Sequence, residues 1–302
     1  MKIKTLLFGA GEGSKNFIHN KYKEREYLAI VDNDTSRVGT FFENIIIISP
    51  EEIKNYEYDE IVIVTQWVEE VKEQLINVLK ISEDKIFIPP KNILKNKEPF
   101  MDKNTLELAN NILKTISLAA YKEDIELFID SGTLLGIVRD GTIMPWDDDI
   151  DFAVNISNKK NQGFDIKSWV DDVLKKSDLP VDFDVSAIAD KNNKIVDIAI
   201  DFTSNKYNSF RTSVKIRKEI GGKSVEQAAL GLYYAPSKHF KKYEILTWQD
   251  IKLKVPFDYM NYLTFVYGDW KKVKKSITLA DYSHLGDVSF EDFQEAGFHK
   301  VL

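Results

Sequence analysis

Four aspartates stand within five residues at Asp147-Asp148-Asp149-Ile150-Asp151, with Pro145 and Trp146 before them and Phe152-Ala153-Val154 after. Carboxylates this close repel one another unless water, protons or a cation offset their charge. Asp149 and Asp151 open an apolar run that reads as a strand, and residues two apart on a strand share a face. Two carboxylates on one face can grip one hard cation or bridge a pair. Oxygen-only ligation suits Mg²⁺ or Mn²⁺ held jointly with substrate phosphates. Upstream, Asp130-Ser131-Gly132-Thr133 follows a short apolar run and supplies hydroxyls and accessible backbone amides, so Ser131, Gly132 and Thr133 are candidates to cradle a phosphate. Arg139 adds a fork of donors suited to the same group. A third carboxylate is expected from another strand. Residues 195–202 form the best candidate, with Asp201 near the end to complete the metal site or accept a proton and Asp197 as a secondary charge. A solvated acidic loop is the ordinary explanation for such a run; the apolar bracketing and the small-residue turn upstream weigh against it.

A second motif lies at the start of the chain. Gly9-Ala10-Gly11-Glu12-Gly13-Ser14 follows an apolar strand and precedes a helix through Phe17 and Ile18. Gly9, Gly11 and Gly13 permit a tight turn and let a phosphate approach amides at a helix N-terminus, while Asp32, ending the next strand, is placed to bind a ribose hydroxyl. Ser14 stands where the fingerprint has its third glycine. A nucleotide or nucleotide-sugar site and a turn kept for folding alone fit these residues equally well. Asp32-Asn33-Asp34 imitates a calcium loop, but Arg37 occupies its glycine position.

These motifs sit on two differently patterned stretches. Residues 1–90 alternate short apolar runs with helical spacing, which argues for a parallel sheet covered on both faces. Pro89-Pro90 closes that unit, 91–103 reads as a polar linker, and a helix opens at Asn104 with Glu107 in a capping-box position. Its apolar stripe, from Leu106 to Ala120, is expected to pack on the strand Leu127-Phe128-Ile129. The chain of 302 residues has no cysteine, 41 basic against 48 acidic side chains and a net charge of −7. Disulfide scaffolds, cysteine-based zinc sites and thiol nucleophiles are thereby excluded, and the acidic balance disfavours nucleic acid as a partner. No apolar run approaches the roughly 20 residues of a membrane span. The expectation is a cytoplasmic protein, with peripheral contact at the inner face of the membrane open.

The Asp-Ser-Gly-Thr-Leu-Leu-Gly segment at 130–136, Pro-Trp-Asp-Asp-Asp-Ile-Asp at 145–151 and Tyr267-Gly268-Asp269-Trp270 closely resemble the LicD phosphocholine-transferase family, which is related to the fukutin-type enzymes. Val255-Pro256-Phe257 and Tyr262-Leu263 fit its pattern as well; residues 206–226 show no clear motif. The resemblance covers about residues 105–285. It implies a nucleotidyltransferase-fold α+β domain over 104–302, behind a Rossmann-like module at 1–90 of the kind attached to several polysaccharide-modifying enzymes. It also implies transfer of a phospho-alcohol group from a CDP-linked donor to a hydroxyl of a surface glycan or glycolipid, with CMP leaving. Asp149 and Asp151 match the family's metal-binding pair and Asp201 its third acidic position. Asp147 and Asp148 would orient waters or bind a cationic donor head, for which Trp146, Trp248 and Trp270 are aromatic candidates. A nucleotidyltransferase acting on a small alcohol or sugar and a non-catalytic nucleotide- or glycan-binding module are the competing readings. An oxidoreductase lacks a Tyr/Lys or His constellation beside Gly9–Gly13.

Overall fold

The structure is a computed structural model that describes residues 2–20, 24–94, 98–229, 231–274 and 299–301. The chain is mixed α/β and forms two compact units, one built on residues up to 96 and the other on residues 97–273 with the closing strand.

The first unit is a six-stranded sheet of β1 (Ile3–Phe8), β2 (Arg25–Val31), β3 (Phe41–Phe42), β4 (Ile45–Ile48), β5 (Glu60–Ile63) and β6 (Ile86–Phe87), in the order β3-β4-β2-β1-β5-β6. All pairings are parallel except the β3–β4 hairpin. The parallel strands thus run outward from β1 on both sides, which puts a topological switch point between β1 and β5. The glycine turn leads there, into helix α1 (Glu12–His19). Gly9 has φ +114°, and a Cβ on Gly13 would overlap the Val64 carbonyl oxygen, so α1 closes on the end of β5 only with glycine at both places. Ser14 replaces the third glycine without loss, because its buried hydroxyl donates to Gly9 O at 2.6 Å. Helix α2 (Val68–Glu73) widens into a π-turn over Gln74–Val78, which leaves Val78 71% exposed although its spacing predicts a buried position. Within the stretch expected as a linker, residues 91–94 and 99–101 form short helical turns. Helix α3 (Lys91–Leu94) offers Ile93 O and Leu94 O to the amides of Asn20 and Asn16, and Phe100 is buried in the second unit's core.

The second unit opens with α4 (Lys103–Lys122), capped by Asp102, whose carboxylate accepts from Thr105 N at 2.8 Å; the expected capping box at 104 and 107 is not used. Next come β7 (Leu127–Ile129), α5 (Ser131–Asp140), β8 (Asp149–Asn155), α6 (Ile166–Lys175), β9 (Phe183–Ala189), β10 (Ile195–Phe202), β11 (Arg211–Ile220), β12 (Lys223–Glu226) and β13 (Tyr234–Pro236). The chain ends in α7 (Lys238–Lys241), β14 (Tyr243–Trp248), β15 (Ile251–Pro256), α8 (Tyr259–Tyr267) and β16 (His299–Val301). The main sheet is centred on β11, which pairs with β8 in parallel along one edge and with β10, then β12, antiparallel along the other. Ile150, Phe152, Val214, Ile216, Ile198 and Ile200 are buried in the main core. The alternate positions carry charge. Helix α4 packs chiefly on β15, which lies against β7, so the hairpin β14–β15 takes the place expected for β7 itself.

The two neighbouring glycines of the first turn separate packing from accessibility. Gly13→Ala must displace the Val64 backbone and is expected to cost about 2–3 kcal/mol. Gly11→Ala meets open space and should change stability by less than about 1 kcal/mol. Thermal unfolding of both variants checks the contrast, and equal melting temperatures would contradict it.

Candidate active site

The register of the main sheet explains how the charged side chains meet. Asp149 stands opposite Arg211 and Asp151 opposite Ser213, while Asp197 stands opposite Lys215 and Glu226 opposite Arg217. Paired residues share a face, so this alternation lines one side of β8, β11, β10 and β12 with polar groups. Asp151, Ser213, Arg217 and Glu226 are buried there.

The turn from β7 into α5 covers the end of that face. Asp130 is fully buried and caps α5; its carboxylate accepts from Ser131 N at 2.8 Å, from Arg217 Nε and Nη2 at 3.0 and 2.9 Å, and from the Tyr262 hydroxyl of α8. Its backbone N–H donates to Asp151 O at 3.0 Å, and Asp151 N donates to Thr133 Oγ1 at 2.9 Å, which ties turn and strand together. Gly132 makes room for the acidic loop, since a Cβ there would overlap the Asp147 carboxylate. The Trp248 indole holds the same loop by donating to Gly141 O at 2.7 Å. One carboxylate oxygen each from Asp147, Asp148 and Asp149 lies within 4.8 Å of the others.

The electrostatics follow from burial and crowding. Burial, then repulsion from Asp151, Asp147 and Asp148, drives the Asp149 carboxyl well above its ordinary range. Burial likewise pushes Asp197 up to about 8, against the pull of Lys215 and with the help of Glu226 and Asp151. Glu226 is raised by burial, although Lys215 and Arg217 draw it back. Burial would also raise Asp130, but Arg217, Tyr262 and Lys215 outweigh it and bring that carboxyl below its usual value. For Lys215, burial would lower the amine, and the surrounding carboxylates reverse this and hold it well above its ordinary value. Lys215 Nζ lies 3.2 Å from Asp151 Oδ1, 3.4 Å from Ser131 Oγ and 4.0 Å from Glu226 Oε1. Asp151 Oδ1 is buried yet accepts no hydrogen bond of good geometry. That oxygen, beside aspartates that repel one another, suits a hard divalent cation better than an apolar or cationic ligand.

Several sequence-based expectations are relocated by this geometry. Asp149 and Asp151 share a face, with Asp147 and Asp148 beside Asp149 and with Ser131 and Gly132 next to them. Asp201 is paired with Arg211, the residue opposite Asp149, through two bonds of 2.9 and 3.0 Å. Asp197, expected as a secondary charge, is the β10 carboxylate that stands opposite Lys215. Thr133 is buried and spends its hydroxyl on Asp151 N, so it braces the turn and does not face a phosphate. Arg139 lies at the far end of α5, about 12 Å from Ser131 by helix rise; it pairs with Asp140 at 2.7 and 2.9 Å and lies 5.8 Å from the ring centre of the half-buried Trp146. Trp248 and Trp270 are buried packing residues. In the first unit, Asp32 does reach the glycine loop, accepting from Ala10 N at 2.7 Å and from Asp34 N at 2.9 Å. Lys215, Arg217 and Glu226 fall in the stretch without a motif; alternation of Arg211, Ser213, Lys215 and Arg217 with Thr212, Val214 and Ile216 was the available signal.

Residues 124–182 match the family model described as LicD/FKTN/FKRP, nucleotidyltransferase domain, and residues 1–87 match the model described as C2185-like, N-terminal. Neither model spans half of the chain. No curated protein matches. Among solved structures, UDP-D-quinovosamine 4-dehydrogenase from Vibrio fischeri is 21% identical, covering 30% of this chain and 80% of its own, with a TM-score of 0.25. Myo-inositol dehydrogenase from Corynebacterium glutamicum is 10% identical over 93% of this chain and 92% of its own, with a TM-score of 0.24. Scyllo-inositol dehydrogenase from Lactobacillus casei is 10% identical over 85% and 82%, with a TM-score of 0.23. Likenesses of this size carry no argument about the site.

The raised Asp197 carboxyl has a sign that can be measured. The folded chain keeps a proton there that the unfolded chain releases near its ordinary value of 3.8, so the stability linked to it is full below that pH and is lost as pH rises to about 8. In chelator-treated protein, the excess melting temperature of Asp197→Asn over the wild type should grow by several degrees between pH 5 and pH 9, a gain on the order of 3 kcal/mol. Superimposed melting curves through pH 9 would rule this group out.

Proposed function

We propose that this chain, whose second unit carries a LicD-type nucleotidyltransferase domain, is a metal-dependent phosphotransferase. It moves a phospho-alcohol group, such as phosphocholine, from a CDP-linked donor to a hydroxyl of a cell-surface glycan or its precursor, with CMP leaving. The observation that supports this most is the buried Asp151 Oδ1 sharing one sheet face with Asp149 beside the N-terminus of α5, all within the matched residues.

Asp149 and Asp151, with Asp147 or Asp148, would hold Mg²⁺ or Mn²⁺, which would supply positive charge to the donor's phosphate oxygens. Phosphoryl transfer asks mainly for positioning and charge neutralisation. Ser131 and Gly132 begin α5, whose N-terminal end would favour incoming negative charge, the Ser131 amide being already held by Asp130. The Asp130–Arg217–Tyr262 cluster keeps that turn in place while spending its own charge internally. In the first unit, the open approach to Gly11 supports a nucleotide or nucleotide-sugar as ligand. Among the described residues no helix is long and apolar enough to cross a membrane; work at the cytoplasmic face of a membrane, on a glycolipid acceptor, belongs to the same proposal.

Incubation with CDP-choline, CDP-ethanolamine, CDP-glycerol or CDP-ribitol, Mg²⁺ and candidate acceptors should release CMP. Asp151→Asn should lower that release by about a thousandfold, and EDTA should abolish it. Asp149→Asn should be equally inactive yet melt at or above the wild-type temperature without metal, since it removes the most repelled charge of the cluster. Release of pyrophosphate from a nucleoside triphosphate, with no CMP from any donor, would favour the nucleotidyltransferase reading.

A further inference from the structure

We infer that the site takes one divalent cation per chain and that Lys215 Nζ supplies, permanently, the positive charge that a second ion would otherwise bring. This rests on the metal-dependent reading above.

With Asp147 and Asp148 completing the first ion's ligands, a second ion needs a further carboxylate that bridges to the Asp149–Asp151 pair, and β11, the strand beside that pair, offers none. Its residues opposite Asp149 and Asp151 are Arg211 and Ser213, and Lys215 follows on the same face. The next carboxylates of that face, Asp197 on β10 and Glu226 on β12, stand opposite Lys215 and Arg217. Lys215 Nζ therefore lies among the carboxylates, 3.2 Å from Asp151 Oδ1 and 4.0 Å from Glu226 Oε1. A cation bridging Asp151 to either outlying carboxylate would have to stand within about 4 Å of the ammonium, where like charges repel by several kcal/mol even in a screened interior. Glu226 is drawn further from such a role by Arg217, 3.7 Å away. The ammonium is also 3.4 Å from Ser131 Oγ, at the start of α5, so it stands between a carboxylate ligand and the helix end that faces the donor phosphate. A covalently tethered charge there is in place before substrate arrives and does not depend on metal concentration.

Mn²⁺ titration of the full chain, followed by loss of the free-ion electron paramagnetic resonance signal, tests this without reference to turnover. The wild type and Lys215→Arg should bind one Mn²⁺. Lys215→Met should bind two, the first at least about tenfold more tightly because a neighbouring positive charge is gone. Asp149→Asn should lose the single ion. Two ions in the wild type, or one ion of unchanged affinity in Lys215→Met, would overturn the inference while leaving metal dependence intact. One ion retained by Asp149→Asn would place the counted ion elsewhere and overturn it as well. No ion in the wild type would remove the metal reading itself. Should Lys215→Met fail to fold, the wild-type and Lys215→Arg counts still decide.

Discussion

The second unit is organised around an imbalance of charge on one face of its sheet. Among the described residues, Asp130, Asp149, Asp151, Asp197 and Glu226 meet there, with Lys215 and Arg217 as the cations between them. Burying ionised carboxylates is costly unless they are paired, and an incompletely paired set is tolerated only where something else gains from it. The fold handles the excess in two ways. Arg217 and Tyr262 saturate Asp130. Burial shifts Asp197 and Glu226 toward their neutral forms. Asp149 is left as the most strongly repelled carboxylate, facing Asp151 and, from the loop, Asp147 and Asp148. On the proposed function, a divalent cation would add positive charge there, and a phosphate-bearing donor is the ligand that it would attract.

This arrangement depends on strand pairing more than on the acidic run itself. Parallel pairing of β8 with β11 sets Asp151 level with Ser213 and brings Lys215 within reach of it. A one-residue slip of register would turn Asp149 and Asp151 into the apolar core and bring Ile150 and Phe152 out. Register is held by the core on the opposite face, where Phe152, Val154, Val214 and Ile216 are buried, and by the two backbone bonds that tie Asp151 to the β7–α5 turn. The chemistry on one face is thus paid for by ordinary hydrophobic packing on the other.

Local pattern made part of this legible. The strands at 127–129 and 195–202 and the α4 stripe are visible because periodicity and burial agree, and the acidic cluster is visible because four aspartates in five residues admit few explanations. Even spacing puts Asp197 and Asp201 on one face, and a place near the strand end singles out Asp201; the strand that lies between β10 and β8 is not legible in the sequence. That strand, β11, comes later in sequence and brings Arg211, which captures Asp201. Lys215 stayed hidden for the same reason, since an isolated lysine on an alternating strand usually faces solvent. Arg139 and Thr133 were misplaced at a finer level: the direction of a helix axis puts Arg139 at the wrong end, and a backbone amide across the turn consumes the Thr133 hydroxyl.

The two glycine turns show how the same local device serves different ends. Each follows a strand, opens a helix and needs glycine because something approaches too closely for a Cβ. At Gly13 that neighbour is the Val64 carbonyl of the adjacent strand, so the close contact is internal packing and says nothing about a ligand. At Gly132 the neighbour is the Asp147 carboxylate, a charged group that a fold seeking only compactness would keep away from a buried face. Sequence alone shows glycine in both places. The identity of the group for which glycine makes room distinguishes them, and only in the second turn is that group an acidic side chain of the proposed site.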